Sequence, residues 1–149
     1  MALKEQLDAE MKAAMKGKDA LRLSVIRMLK SAVKYREIEL MKPLDDAGVQ
    51  GVISQEIKRR RDSVEQYAAG NRQDLVDKET AEIAILQGWL PRQLGESELR
   101  EKVDEAIRKT GAKGMKDMGG VMKALMPEVQ GLAEGKVVSD MVKARLTGK

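Results

Sequence analysis

Residues 17–32 of this chain, GKDALRLSVIRMLKSA, decide how it begins to fold. Gly17 predicts the end of a first helix that starts near Ala2, and Asp19 is a suitable N-cap for a second helix. After the cap, apolar residues return at spacings of three and four, the period of one helix face: Leu21, Val25, Met28 and Leu29. The stretch therefore predicts the junction between one helix and a long second one that reaches about residue 41.

The composition of the whole chain favours the same kind of structure. Its 149 residues include ten Met, one Trp, two Tyr and no Phe, and 42% of them are hydrophobic. Good helix formers dominate, while the runs of β-branched and aromatic residues that mark strands are missing. The sequence predicts an all-α, multihelical fold.

Glycine and proline divide the predicted helices into two parts. Residues 1–70 are predicted to form an N-terminal helical domain. Residues 71–92 are predicted to be a helical linker and hinge, because their first half is mostly polar, a strong apolar end comes only at Ile83, Ile85 and Leu86, and Gly88 and Pro91 then break the chain. Residues 93–149 carry three short amphipathic helices, which predict a small C-terminal bundle. We expect two small three-helix units joined by a partly helical linker.

Cysteine and histidine are both absent from the chain. Disulfides, the usual zinc ligands, and the Cys and His of common nucleophilic enzymes are therefore missing as well. Neighbouring carboxylates such as Glu79 and Glu82 lie in charge-rich sequence, where nothing indicates the burial that shifts a pKa. We expect no catalytic residue, no metal site and no cofactor.

Two further features of the sequence concern the cellular location of the protein and its net charge. No stretch approaches the ~20 apolar residues of a membrane helix, and the N-terminus enters a charged amphipathic pattern without a secretory h-region. These features predict a cytoplasmic protein without a membrane partner. The net charge of +4 and the pI near 9.3 indicate a mild basic excess, so nucleic-acid binding would depend on how the charges cluster.

Two basic features are candidates for such clusters. Arg27, Lys30 and Lys34 have the spacing i, i+3, i+7, which places them on one side of the second helix, where a phosphate backbone could lie. An ordinary solvent-exposed face is the alternative. The run of residues 58–61, KRRR, points around the helix circumference, so a salt-bridged face is favoured over a ligand site.

A third pattern consists of methionines at helical spacing. Met115, Met118, Met122 and Met126 could form an adaptable docking face, but filling of a core is the favoured interpretation.

Several strings together resemble the YqeY-like family over nearly the whole chain. Residues 17–32 resemble its N-terminal signature, and residues 89–94, WLPRQL, resemble its hinge with Trp89 in place of Tyr. Residues 118–123, MGGVMK, and 135–138, GKVV, match its C-terminal part. That part is similar to the tail domain of the B subunit of glutamine-dependent aminoacyl-tRNA amidotransferases. The tail helps to hold tRNA, and family members are labelled carbon–nitrogen ligases with glutamine as amido-N-donor on this similarity.

The resemblance implies tRNA binding by the C-terminal domain rather than catalysis. It implies phosphate contacts from lysines and close backbone approach at two glycines: Lys113, Lys116, Gly119, Gly120, Lys123, Lys136 and Lys143. The stripe of Arg27, Lys30 and Lys34 is a secondary candidate. We expect an accessory tRNA-binding protein that works with aminoacyl-tRNA amidation or charging machinery and is not an enzyme by itself. The alternatives are a non-catalytic component of a glutamine-dependent amidotransferase complex, and a protein–protein adaptor that uses the methionine face.

Overall fold

A computed structural model describes residues 2–148, and over these residues the chain is all-α, which confirms the predicted fold class. The elements in chain order are α1 (Leu3–Lys16), α2 (Ala20–Leu40), α3 (Asp46–Ala69), α4 (Gln73–Gln87), α5 (Glu96–Thr110), α6 (Met118–Val129) and α7 (Gly135–Leu146), with a 3-10 turn at Met115–Asp117. Among the described residues, no helix is both long enough and apolar enough to cross a bilayer.

The junction between α1 and α2 forms where residues 17–32 predict it. Gly17 makes the last helical bond of α1, from its N–H to the carbonyl of Ala13 at 2.9 Å, and Lys18 then turns the chain with a φ of +55°. The Asp19 carboxylate accepts the backbone N–H of Arg22 at 3.1 Å and caps α2. The two helices then pack together through their apolar faces, with Leu7 of α1 and Leu29 of α2 almost completely buried.

The chain divides into two compact units between Leu90 and Pro91. The first unit therefore contains four helices, because α4, in the segment predicted to be a linker, packs against α3 along its length. Ile83 and Leu86 of α4 are buried in the core of this unit, and Trp89 follows them into it. Among the polar residues that made α4 resemble a connector, Glu79 contributes to an ionic cluster within the unit.

Arg60 of α3 is the centre of a buried ionic cluster, and acidic residues of α4 pair with it. The Arg60 Nε donates to Glu82 of α4 at 3.1 Å and lies 4.0 Å from Glu79. Its Nη1 lies 3.4 Å from a Glu56 carboxylate oxygen, and its Nη2 is 3.8 Å from the Met28 sulfur of α2. The salt bridging predicted for residues 58–61 thus involves a buried arginine that joins three helices, rather than only a solvent-exposed face.

The indole of Trp89 closes the first unit at the other end of α4. It is 6% exposed, and its Nε1 donates to the Glu10 carboxylate of α1 at 2.6 Å. A buried indole N–H needs such an acceptor. The bond therefore anchors the end of the unit to its first helix.

The second unit has a core of its own, formed by apolar side chains of α5, α6 and α7: Leu99, Val103, Ala106, Val121, Leu125, Val129, Val138 and Val142. Its first residues are tied to the α6–α7 loop, since the Leu94 N–H donates to the carbonyl of Leu132 at 2.8 Å. Helix α6 includes Pro127 and continues to Val129, which is buried in this core.

We expect Arg60→Met to lower the free energy of unfolding by about 3–5 kcal/mol, because it leaves Glu56 and Glu82 buried without their cation. Urea denaturation of the full chain measures this change. Arg59→Met is the matched control, since Arg59 is exposed and lies 3.9 Å from Glu56. It should cost less than about 1 kcal/mol. Equal losses for the two variants would contradict the central role of Arg60.

A second prediction concerns Glu79 and pH. Burial, followed by the negative charge of Glu82, raises the pKa of Glu79 above its ordinary value. The folded chain therefore holds this proton more tightly than the unfolded chain, and stability falls as pH rises through the interval between the two values. We expect Glu79→Gln to unfold at a higher urea concentration than the parent chain at pH 7, and to lose this advantage near pH 4.

Asp74→Asn is the control of opposite sign for this measurement. The hydrogen bond from Arg72 lowers the pKa of Asp74, so its ionised form contributes stability at neutral pH that is lost as pH falls. Asp74→Asn should be less stable than the parent chain at pH 7. A neutral or destabilising effect of Glu79→Gln at pH 7 would contradict the predicted sign.

Candidate nucleic-acid interface

The loop between α5 and α6 shapes the candidate surface. Gly111 ends α5 in the left-handed region, with φ of +68°, and the chain continues extended through Gly114 into the 3-10 turn. The backbone N–H of Lys113 donates to the Asp117 carboxylate at 2.9 Å. This bond holds the loop against the start of α6 and occupies the side chain at the N-cap position, which makes no capping bond to the helix.

Two adjacent glycines, Gly119 and Gly120, lie in the first turn of α6 and are exposed. A Cβ built on either residue would have no atom within 4 Å, apart from atoms of the two neighbouring residues and of the nearby helix backbone. Neither residue has positive φ. Glycine destabilises a helix relative to alanine, by roughly 0.5–1 kcal/mol in the interior. Packing and backbone conformation within the chain therefore do not account for this pair, and it leaves the helix backbone open to approach from outside.

Lysines border this bare backbone. Lys116 lies in the preceding turn, and Lys123 follows one helical turn after Gly119. Both are exposed, and neither makes an ion pair with any residue in the range 2–148. Lys123 lies on the side of α6 opposite the buried Val121 and Leu125. Lys113 is exposed in the loop. The outer face of α6 is therefore basic, with a stretch of open backbone between its two cations.

Lys136 and Lys143 lie on a second surface. They are seven residues apart on α7, on the side opposite the buried Val138 and Val142, and both are exposed. Asp140 shares this outer face. Because α6 and α7 each turn an apolar face inward, their outer faces diverge. The structure therefore brings Lys116, Gly119, Gly120 and Lys123 together and places the α7 lysines in a separate group.

The methionine pattern belongs mainly to the core. Met118, Met122 and Met126 are partly buried and pack against the core of the second unit. Met115 is the exposed member of the set. This placement agrees with the favoured core interpretation and leaves little of a docking face.

The secondary stripe on α2 is interrupted by its own fold. Lys30 forms an ion pair with Asp8 of α1, while Arg27 and Lys34 are exposed. This pairing forms because α1 packs beside α2. Arg27 and Lys34 thus remain as isolated cations, and α6 has the stronger case as a phosphate-binding surface.

The central position of Arg60 was not apparent from the run of basic residues at 58–61. The available signal was its spacing, because Arg60 follows Ile53 by seven residues and Ile57 by three and so lies on the apolar face of α3. A charged residue at such a position needs buried partners. Those partners come from α4, which is why the run of basic residues alone did not reveal them.

These helices and basic faces define an all-α protein of two units. The chain belongs to the YqeY-like family, whose model, described as Yqey-like protein, matches residues 4–146. This match confirms the resemblance found in residues 17–32 and in the strings around Trp89 and Gly119.

Several similar proteins carry the name "Altered inheritance of mitochondria protein 41, mitochondrial". The one from Lachancea thermotolerans is 36% identical over 104 residues, which cover 68% of this chain and 56% of the relative. The one from Pyrenophora tritici-repentis is 32% identical over 86% of this chain and 71% of the relative. The one from Saccharomyces cerevisiae is 31% identical over 87% of this chain and 69% of the relative.

These names overturn the expected cytoplasmic location, since the matched relatives are named as mitochondrial proteins. The expectation depended on the lack of a secretory h-region. That criterion does not distinguish the cytoplasm from an organelle reached by another kind of targeting segment.

We expect Gly119→Ala and Gly120→Ala each to raise the free energy of unfolding, by about 0.5 kcal/mol, because alanine is the better helix former and meets open space at both positions. Gly111→Ala is the control of opposite sign, because its φ of +68° disfavours any side chain. Chemical denaturation of the full chain measures all three. Destabilisation by alanine at both helical positions would show that the glycines serve the fold itself.

Proposed function

We propose that this protein is an accessory tRNA-binding protein, and that its second unit holds the sugar–phosphate backbone of tRNA against the outer face of α6. One observation carries the proposal: the exposed, unencumbered backbone at Gly119 and Gly120 lies between the exposed cations Lys116 and Lys123. Lys113 provides a further phosphate contact at the margin of this face, while Lys136 and Lys143 form a separate basic group on α7.

The chemistry of a phosphate backbone fits this arrangement. Lysine ammonium groups neutralise phosphates without reading sequence, and a helix start without side chains lets an anion come close to backbone N–H groups. Within α6, Glu128 is the single acidic residue and lies beyond the glycine–lysine segment, and the Asp117 carboxylate just before α6 is partly buried and bound by the Lys113 N–H. An RNA backbone along this segment would therefore meet positive charge and little bulk.

The contacts should depend on backbone shape rather than on base identity. Residues 91–149 contain no Phe, Trp or Tyr, so the second unit offers no aromatic ring for base stacking. Proteins without such platforms recognise RNA through phosphates, 2′-hydroxyls and helix geometry. This supports recognition of a structured RNA such as tRNA.

The biological role follows from the family resemblance. The C-terminal part of the YqeY-like family is similar to a tail domain that helps to hold tRNA in amidotransferases. We propose that this chain delivers or steadies tRNA for aminoacyl-tRNA amidation or charging machinery and leaves the chemical step to its partners.

The test is binding of the full chain to fluorescently labelled total tRNA, measured by anisotropy between 50 and 200 mM salt. We expect affinity to fall steeply with salt, and the double substitution Lys116→Ala and Lys123→Ala to make the slope of log K against log salt shallower by about 1.4–1.8. Gly119→Ala should weaken binding although it stabilises the fold, because its methyl group obstructs backbone approach.

Lys109→Ala is the matched control within the same unit. Lys109 is exposed on α5 and pairs with Glu105 at 3.2 Å, so its charge is already compensated. This substitution should leave the salt slope unchanged. Absence of tRNA binding even at 50 mM salt, or equal effects of Lys109→Ala and Lys123→Ala, would refute the proposed surface.

A further inference from the structure

The first unit carries a long open groove between α2 and α3. Its volume is about 1140 Å³, and its walls run from Arg27 to Leu40 on α2 and from Gly48 to Arg59 on α3. At 1.5 Å per residue, the α2 wall alone is about 20 Å long. The groove belongs entirely to the first unit and shares no residue with the α6 surface.

Apolar side chains are unusually exposed along the α2 wall. Tyr35 is 71% exposed, Met28 is 51% exposed and Leu40 is 39% exposed. Ala32 and Val52 lie between the walls and are partly buried. These residues form an apolar strip at helical spacing that remains in contact with water in the isolated chain, which is typical of a surface that binds another apolar face.

A glycine in the α3 wall points to close contact with a partner. Gly51 is exposed inside a 24-residue helix, and a Cβ built on it would meet nothing within 4 Å. Gly48 differs, because a Cβ there would lie 2.8 Å from the Leu44 side chain, so packing explains it. No neighbouring side chain explains why position 51 is a glycine. This glycine destabilises α3, and because it has no side chain, the groove is more open at this point.

The charges of the groove are uneven along its length. At one end the Arg36 guanidinium is neutralised by Glu39 at 2.9 Å. At the other end Arg27 is exposed and makes no ion pair with any described residue. Arg59 lies beside that same end, as the contact between its neighbour Arg60 and Met28 shows, and its only carboxylate contact within residues 2–148 is 3.9 Å long. The end near Arg27 and Arg59 is therefore basic.

These features together favour one kind of occupant. The groove is open along its length and larger than the ~300–1,000 Å³ of typical small-molecule pockets. A nucleic-acid strand would need cations along the whole path, whereas the uncompensated ones are confined to one end. Apolar strips of this length between two helices match the way an amphipathic helix docks into a groove.

We propose that this groove binds an amphipathic α-helix of a partner protein, about 13 residues long. Its apolar face packs on Met28, Tyr35 and Val52, its backbone passes close to Gly51, and acidic side chains at one end meet Arg27 and Arg59. This inference goes beyond tRNA binding and does not depend on it, because the two surfaces lie on different units.

The test uses the full chain as bait for a displayed library of 14-residue designed helices, each with an apolar stripe at i, i+3, i+4 and i+7 and randomised end residues. We expect the selected helices to be enriched in Asp and Glu at one end. Their affinities are then measured by fluorescence anisotropy as synthetic peptides. Helices without acidic enrichment, or no helix that binds the full chain, would overturn the proposal.

Gly51→Leu is the decisive variant, because it fills the groove without touching the core. We expect its thermal midpoint to equal or exceed that of the parent chain and its affinity for the selected helices to fall at least tenfold. Ile38→Glu is the matched surface control, since Ile38 is 67% exposed and lies outside the groove. It should leave affinity unchanged. Unchanged binding to Gly51→Leu would place the helices elsewhere.

Charge reversal tests the orientation and the partner class. The double substitution Arg27→Glu and Arg59→Glu should lower the affinity for helices with an acidic end at least tenfold. It should raise the affinity for counterparts with lysine at that end. Lys116→Ala with Lys123→Ala should change neither affinity, which separates this site from the tRNA surface. Displacement of the helices by total tRNA, or a dimer of the parent chain that Gly51→Leu converts to a monomer, would assign the groove to another occupant.

Discussion

The first unit depends on one buried guanidinium. Arg60 is shared by Glu56, Glu79 and Glu82, and its side chain is 7% exposed. Burial of so many charges is tolerable only because each has a partner close by. The cluster joins α4 to α3. The contact of Arg60 with Met28 also holds α2 beside α3 at the end where Arg27 and Arg59 lie. The same arginine therefore contributes to both the core and the groove.

The two units use their basic residues in different ways. In the first unit many cations are bound to acids of neighbouring helices, as Lys30 is to Asp8 and Lys4 is to Glu37. In the second unit, two ion pairs lie within α5, and Lys116 and Lys123 beside the exposed glycines make no ion pair with a described residue. A net charge of +4 conceals this contrast. The positions of the charges on the surface, rather than the net charge, make α6 the stronger candidate for binding a polyanion. The first unit is better suited to binding a protein partner.

The α-helical class, the Asp19 cap and the end of α5 at Gly111 were all predictable, because caps and periodicity act within a turn or two of the backbone. The candidate lysines and glycines of the second unit were also identified beforehand, from the family resemblance. Residues 71–92 were predicted to be helical, but the packing of α4 into the first unit was not predicted, since it also depends on an arginine in another helix. The groove was not predicted, because the exposure of Tyr35 and the open space at Gly51 exist only once two helices lie side by side.

By itself the sequence determined which segments become helices and which family the chain resembles, since both follow from residues close together along the chain. The tertiary structure decided which charges are buried and which remain available. Arg60 and Glu82 are 22 positions apart, and their pairing needs α3 and α4 to fold back on each other. Local patterns cannot report this, because the cost of burying a charge depends on partners that only packing brings within reach.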